Sequence, residues 1–409
     1  MSTERFNAQA ESSAAVGEPI GRQRAFAQVS MLLDPFRPGG NGAQRVGSAT
    51  AAELLYAFAC FHGVRPALLK ALSLGSELTP DLAQLRSKLA EFQMLHRFEV
   101  LQTTGQIVDL AKRLEAAGIA ALFFKGAVLG EQIYGGAQFR EFNDIDLLVR
   151  PADRDCAIGQ LEALEFQPII PDTHMRRSFF DYLRQHSFRS RETGAVVDLH
   201  WAFVGTGPFP VTTEQALLSR TDVVLGGAAI PAPSRETQAL ILAGHGHKEN
   251  WASFSWILDF ATFAAVNPDL AWDRIAGLAS AQRCLEPLLG AIMLVERVFG
   301  HTLDPCLAQL GAGRPHLIRN VETIVARAID LSERQKAEEL MGGFRLCETP
   351  TQKLNMALAL LLTPTIGDFE AMPLPRRWWW IYRLTRPLRL SWRKLLGRAP
   401  NRSGGLVSV

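Results

Sequence analysis

Two short segments place carboxylates at the spacing of a β-strand. In Asn143-Asp144-Ile145-Asp146-Leu147-Leu148-Val149, the two aspartates alternate with apolar residues. Side chains on a strand point to opposite faces in turn, so Asp144 and Asp146 share one face while Ile145, Leu147 and Val149 share the other and point into a core. Along their face the aspartates are roughly 7 Å apart, from a rise of about 3.3 Å per residue. Carboxylates this close repel each other unless a cation sits between them. Hard divalent cations such as Mg²⁺ take oxygen ligands of this kind and are commonly shared with substrate phosphates. The second segment, Ala195-Val196-Val197-Asp198-Leu199-His200-Trp201, brings a third carboxylate. Alternation puts Asp198 and His200 on one face, with Val197 and Leu199 on the other.

The flanking elements must hold these residues in place. The apolar run Ile119 to Phe124 reads as a buried strand that stops at Lys125-Gly126. A short helix pattern follows, Ala127 to Tyr134, ended by Gly135-Gly136. Upstream, a long helical pattern runs from Pro80 to Ala117 and closes at Gly118, with apolar positions at Leu85, Leu89, Phe92, Leu95, Leu101, Ile107, Leu110 and Leu114. Arg150-Pro151 stops the aspartate strand; Ala152 to Leu164 reads as an amphipathic helix and Phe166 to Ile170 as a short strand. Ser187 to Ser190 and Ala195 to Trp201 read as a hairpin through Arg191-Glu192-Thr193-Gly194, with the glycine at positive φ. Ser234 is an N-cap, and the chain then stays helical to about Leu340.

Composition sets the limits. The chain has 409 residues, 47% hydrophobic and 21% charged, with a net charge of +2, as in a soluble globular protein of two or three units. Its five cysteines are scattered, with no CxxC pair, which argues for a reducing, cytoplasmic setting without a disulfide frame or zinc knuckle. No apolar signal core opens the chain, and no window nears eighteen uninterrupted apolar residues, so neither a signal peptide nor a membrane-spanning helix is expected. There is no HExxH motif and no nucleophile elbow. His245 and His247 do not face one another on a helix, which argues against a zinc pair, whereas His245 and Lys248 share a face.

The chain resembles the nucleotidyltransferase superfamily that includes DNA polymerase beta and the aminoglycoside nucleotidyltransferases. More closely, it is similar to a bacterial family of uncharacterised nucleotidyltransferases. The residues that carry the resemblance are Lys125-Gly126, Tyr134, Arg140, Asp144 to Val149, Asp198-Leu199-His200-Trp201, and His245-Gly246-His247-Lys248-Glu249-Asn250-Trp251 with Trp256 and Asp259. It spans roughly Leu101 to Gly300. It implies an α/β (α+β) fold, a small mixed sheet with flanking helices plus a C-terminal helical domain. The expected organisation is a disordered arm over 1–47, with one short helix near Arg24 to Leu33; a helical segment over 48–118; the nucleotidyltransferase core over 119–233; a helical domain over 234–340; and a basic, Trp-rich tail over 341–409.

The resemblance also implies chemistry: Mg²⁺-dependent transfer of a nucleoside monophosphate from a nucleoside triphosphate to a hydroxyl of a small molecule or a protein, with release of pyrophosphate. Asp144 and Asp146 would bind two ions and Asp198 would complete the catalytic one. Lys125, Gly126, Arg140, His245 and Lys248 would bind the nucleotide. The superfamily usually carries Gly-Ser at the turn where this chain has Lys125-Gly126, so the lysine would meet phosphate as a point charge. Plainer roles stay open: Asp198 as the partner of an arginine, Arg140 as a counter-charge to the acids, Lys125 as a surface lysine, His200 as a buried structural histidine. So do two other functions, a nucleotide-binding regulator without turnover and a scaffold at a membrane surface for a biosynthetic cluster. The tail motivates the scaffold: Arg376 to Arg398 holds eight basic residues, a Trp378-Trp379-Trp380 run and no acid. Such a tail suits the inner face of a membrane or docking on the protein's own surface, the reading the three adjacent tryptophans favour; nucleic acid is not an expected partner.

Overall fold

The computed structural model describes residues 19–36, 52–74, 78–170, 180, 183–331, 342–364 and 366–395. The ends of the expected arm (1–18 and 37–47), the end of the expected helical run (332–340) and the last residues (396–409) lie outside them.

Apolar residues at helical spacing decide the first elements. Ala25, Phe26, Val29 and Leu33 form a buried stripe, so α1 (Pro19–Leu32) packs into the protein although it falls in the expected arm. Phe26 meets the rings of Phe58 and Phe254 at 6.1 and 5.7 Å. Next come α2 (Ala52–His62), α3 (Arg65–Ser73) and the 37-residue α4 (Pro80–Ala116). At the end of α2, His62 Nδ1 accepts from Phe254 N at 3.0 Å and Nε2 donates to Ala328 O at 3.0 Å. One neutral imidazole thereby ties three helices together.

The face of α4 changes along its length. Leu85, Leu89, Ile107, Leu110 and Leu114 are buried, but Leu95 and Leu101 are exposed. Mid-helix, Gln93 and His96 take the inward positions: Gln93 Nε2 donates to Gln138 O at 2.8 Å and His96 Nε2 lies 2.9 Å from Arg140 O. The helix spends these positions on the backbone of 138–140 instead of on apolar packing.

The chain then builds a sheet from β1 (Ala121–Phe123), β2 (Asp144–Val149), β3 (Phe166–Pro168), β4 (Gln185–Ser190) and β5 (Val196–His200), with α5 (Gly126–Tyr134) between β1 and β2 and α6 (Arg154–Ala163) between β2 and β3. The order is β1-β2-β5-β4-β3. β2 and β5 run parallel and the other pairs antiparallel, so the sheet is mixed. β4 and β5 form the expected hairpin, with Gly194 at φ +75°. Ile145, Leu147, Val149, Val197 and Leu199 pack with α4 and α6 residues in one core, while Leu122, Phe124 and Leu148 on the opposite face join the core of the helical body. Each fully buried aliphatic side chain is worth on the order of 1.5–3 kcal/mol over exposure. A one-residue slip of β2 would turn Asp144 and Asp146 into the apolar layer, which fixes the register.

A short helix α7 (Thr213–Leu218) and a hairpin, β6 (Thr221–Leu225) and β7 (Ala228–Ala232), lead into α8 (Arg235–Lys248), capped by Ser234 accepting from Thr237 N. The helical body continues with α9 (Phe254–Val266), α10 (Trp272–Ala281), α11 (Glu286–Phe299), α12 (Pro305–Ala312) and α13 (Pro315–Asp330). The expected tail is also helical: α14 (Gly342–Arg345), α15 (Pro350–Leu362), α16 (Ile366–Ala371) and α17 (Trp380–Leu395). α17 runs through Pro387, where an interruption was expected. Proline removes one helical N–H, and here Arg386 and Arg389 on either side are both held by Asp368. Among the described residues no helix is long and apolar enough to cross a membrane.

Candidate active site

The three aspartates meet on one face of the sheet. Asp146 on β2 lies directly opposite Asp198 on β5 in the parallel register, and Asp144 opposite Val196. All three line a cavity of about 320 Å³ with Lys125, Arg140, His200, His245, Lys248 and Trp256. The cavity lies between this face of the sheet and the helices α8 and α9. A larger surface groove of about 620 Å³ lies between α3 and α4, but its lining carries no carboxylate.

The turn before α5 is built around a glycine. Gly126 has φ +51°, and a Cβ there would meet the Asp144 carbonyl oxygen at 2.9 Å. Any other residue would be strained twice, by its backbone angle and by that contact. Lys125, the residue capping α5, makes no side-chain cap bond. Its Nζ lies 3.3 Å from Asp146 Oδ1 instead.

The three carboxylates of this face titrate differently. Burial, together with the charges of Asp146 and Asp198, pushes the Asp144 carboxyl up to about 7. Asp198 is raised too, by burial and by Asp146, against the pull of His200 and the Ser187 hydroxyl. Asp146 goes the other way: burial opposes its charge, but Lys125 and His200 pull it below the usual carboxylate range. His200 Nε2 is 3.3 Å from Asp146 Oδ1, yet neither ring nitrogen is aligned for a hydrogen bond. His245 is held well below the ordinary imidazole range, by burial first and then by Lys125, so it is neutral at pH 7.

Three carboxylates on one face, two of them raised by burial and then by their acidic neighbours, supply oxygen donors of the kind a hard divalent cation takes. Among the described residues no group of three or more acidic, His or Cys side chains is placed to hold a metal ion as it stands; the cation Asp146 contacts is the Lys125 ammonium.

With this geometry in view, the comparisons fall into place. Residues 48–300 match the family described as uncharacterised nucleotidyltransferase. The chain belongs to that family. Solved structures similar to it include the antibiotic-resistance factor ANT(2'')-Ia, at 12% identity over 45% of this chain and 92% of that one, with a TM-score of 0.33. Another is an antigenic nucleotidyltransferase-like protein from Paracoccidioides brasiliensis, at 18% identity over 54% of this chain and 92% of that one, with a TM-score of 0.29. No curated protein matches the chain.

Of the eight site residues expected from the sequence, seven line the cavity and Gly126 forms the turn beside Asp144, but not all point the same way. Arg140 lines the cavity while its Nε is committed to Asp259 Oδ2 at 3.0 Å. Tyr134 OH donates to the other oxygen of Asp259 at 3.1 Å. Lys248 Nζ lies 3.1 Å from Glu249 Oε1. The motif around His245 has a packing reason. Gly246 leaves room for the Trp251 ring, which a Cβ would meet at 2.5 Å. Asn250 and Trp251 take left-handed backbone angles, and this turn brings Trp256 to the cavity, its ring 5.0 Å from His245.

Asn143, Gln185, Phe203, Phe209 and Ile241 also line the cavity and were not picked out. Gln185 had a signal: counting back from the Gly194 turn pairs it with His200. Phe203 and Phe209 lie in an irregular stretch with no periodicity to follow.

Proposed function

We propose that the cavity binds a nucleoside triphosphate with Mg²⁺ and transfers the nucleoside monophosphate to a hydroxyl of a small-molecule or protein acceptor, releasing pyrophosphate. The observation that carries this reading is the in-register pair Asp146 and Asp198, with Asp144 one alternation away, facing a cavity that Lys125, Arg140 and Lys248 also line. Asp144, Asp146 and Asp198 would hold the divalent ions. When bound, such ions neutralise charge on the attacking and leaving oxygens.

The chain's own residues do the rest. Asp198, whose affinity for a proton is raised, is placed to take the proton of the acceptor hydroxyl. The oxygen of that hydroxyl forms a bond to the α-phosphorus as the bond to the bridging oxygen breaks, and pyrophosphate leaves with the electron pair. The N–H groups that open α5 at Gly126 face phosphate oxygens. Lys125 leaves Asp146 and meets the triphosphate as a point charge. Neutral His245 and the edge of Trp256 close the far wall.

The test is to incubate the protein with each α-labelled nucleoside triphosphate, Mg²⁺ and cell extract. The α-label should appear on an acceptor, with pyrophosphate released and a chelator abolishing both. Transfer of a γ-label, or tight nucleotide binding with no labelled product from any of the four, overturns the reading.

A further inference from the structure

The C-terminal hairpin turns its apolar side outwards. On α17, Tyr382, Arg386 and Arg389 share one face, at i, i+4 and i+7. That face is fastened inwards: Tyr382 OH donates to Met372 O at 2.5 Å, Arg386 Nη1 pairs with Asp368 at 2.5 Å, and Arg389 Nε donates to Asp368 at 2.8 Å. Arg386 Nε also donates to Leu360 O at 3.0 Å, which binds α17 to α15. Trp380, Leu384 and Leu388, at i, i+4 and i+8, fall on the opposite face and are 58%, 61% and 72% exposed. On α15 a second row, Leu354, Leu358, Leu361 and Leu362, is exposed as well. Of the three adjacent tryptophans, Trp379 is used internally, its Nε1 donating to Leu374 O at 3.1 Å and its ring packing on Phe369. Trp378 and Trp380 remain outside.

The charge around these rows is predominantly positive. From Ala371 to Val409 the chain carries nine basic residues and no acid, and α15 adds Lys353 and no acid. Two acids, Asp368 and Glu370, lie in the link between α15 and α17, and Asp368 is taken up by two arginines. Arg377 and Arg383 are exposed beside the outward row. Apolar side chains with tryptophan, edged by arginine, make an interfacial surface: the apolar face enters the acyl boundary and the cations meet headgroups. We infer that the α15–α17 hairpin docks the enzyme on an anionic lipid bilayer, with Trp380, Leu384 and Leu388 inserted and Arg377 and Arg383 at the headgroups. A nucleic-acid strand would match the charge but not a row of exposed leucines.

The experiment is co-sedimentation of the full chain with vesicles of phosphatidylcholine alone or mixed with phosphatidylglycerol, at low and high salt. The intact protein should pellet with the anionic vesicles and be released by salt. Trp380→Ser/Leu384→Ser/Leu388→Ser should weaken binding by about tenfold or more, since it removes the inserted face. Arg377→Glu/Arg383→Glu should weaken it by a similar factor through charge alone. The second variant decides the matter if the first does not fold, as judged by its melting curve. Failure of the intact protein to pellet with anionic vesicles at low salt overturns the inference, as does equal pelleting by a folded serine variant. So does a dimer in light scattering that the serine substitutions dissolve while no vesicle binding occurs, which would make the occupant a second copy.

Discussion

Two buried aspartates sit a short way apart in this protein and live under opposite conditions. Asp259, on α9, has its charge answered: Arg140 Nε binds one oxygen at 3.0 Å and Tyr134 OH the other at 3.1 Å. Asp146, on β2, is held charged by a lysine at 3.3 Å and an imidazole at 3.3 Å that is not aligned to donate, but the two carboxylates that share its face, Asp144 and Asp198, are raised and, among the described residues, lack such partners. Buried polar groups in a structural role are satisfied, because an unmet one costs free energy. A cluster left with surplus charge is one the fold holds open for a ligand. The satisfied cluster joins the sheet unit to the helical body; the unsatisfied one faces the cavity.

The largest effect expected from breaking this contrast falls on the satisfied side. Asp259→Ala leaves the Arg140 guanidinium buried without its partner, which costs about 3–5 kcal/mol for a pair of this kind. Equilibrium denaturation should show that loss. A change within about 0.5 kcal/mol, the size typical of surface substitutions, would mean that Arg140 finds another partner in the cavity and that the two clusters are not distinct.

On the unsatisfied side the cost should appear in turnover instead. Asp144→Asn and Asp146→Asn should each lower the rate by about a hundredfold or more, the scale for losing a principal electrostatic contact. Their stabilities should diverge. Asp144 is pushed up by burial and then by its acidic neighbours, so neutralising it relieves both penalties and the fold should hold or gain at pH 8. Asp146 is pulled down by Lys125 and His200, so its amide should lose stability. Retention of more than about a tenth of the wild-type rate by both variants would contradict the proposed roles.

The contrast also explains what the sequence could and could not reveal. Alternation alone placed Asp144 and Asp146 on one face and Asp198 with His200, because a strand has a period of two and both segments are short and clean. The parallel pairing of β2 with β5, which puts Asp146 opposite Asp198, is a long-range fact that no local pattern encodes. The helix periods in α4 pointed to Leu95 and Leu101 where the protein buries Gln93 and His96, because those polar groups serve the backbone of 138–140. The partner of Arg140 lies 119 residues away on α9, so its engagement there was invisible beside its closeness to the acidic strand. Asp368 hid the tail's organisation in the same way: it lies outside the basic stretch yet fixes two of its arginines.

A second satisfied site extends the comparison to pH. His62 uses both ring nitrogens as a neutral imidazole, and burial pushes it down to about 4 despite the bond to Ala328. Protonation would place a second N–H against the Phe254 N–H. Unfolded, the ring titrates near 6.5, so the native state binds fewer protons between the two values. The stability His62 contributes is therefore fully present above about pH 6.5 and is lost as pH falls towards 4, up to about 3 kcal/mol. His247, also pushed down to about 4 by burial, adds a second loss over the same window. Denaturation midpoints at pH 7.5 and 4.5 should drop steeply for the wild type and less for His62→Gln. Equal slopes for the two would remove His62 from the satisfied class.

The smallest effect concerns Lys125, the residue on which the contrast is sharpest. If it belongs to Asp146 as Arg140 belongs to Asp259, then Lys125→Ala should cost stability and leave nucleotide binding alone. If it is a phosphate contact parked on the acidic cluster, the opposite holds. Its distance of 3.3 Å from Asp146, with one ion-pair contact beside the Phe124 ring, favours the second case. Lys125→Ala should then raise the apparent nucleotide KM by about tenfold, the loss expected when a hydrogen bond to a charged group is removed. Lys125→Arg should restore only part of it, because a planar fork does not reproduce a compact ammonium beside Gly126, where the backbone already approaches Asp144 closely. Calorimetric titration of nucleotide into the three proteins, beside their melting curves, separates the cases. Equal nucleotide affinities with a lowered melting temperature for the alanine variant would move Lys125 to the structural side and leave the triphosphate to Arg140, Lys248 and the N–H groups of α5.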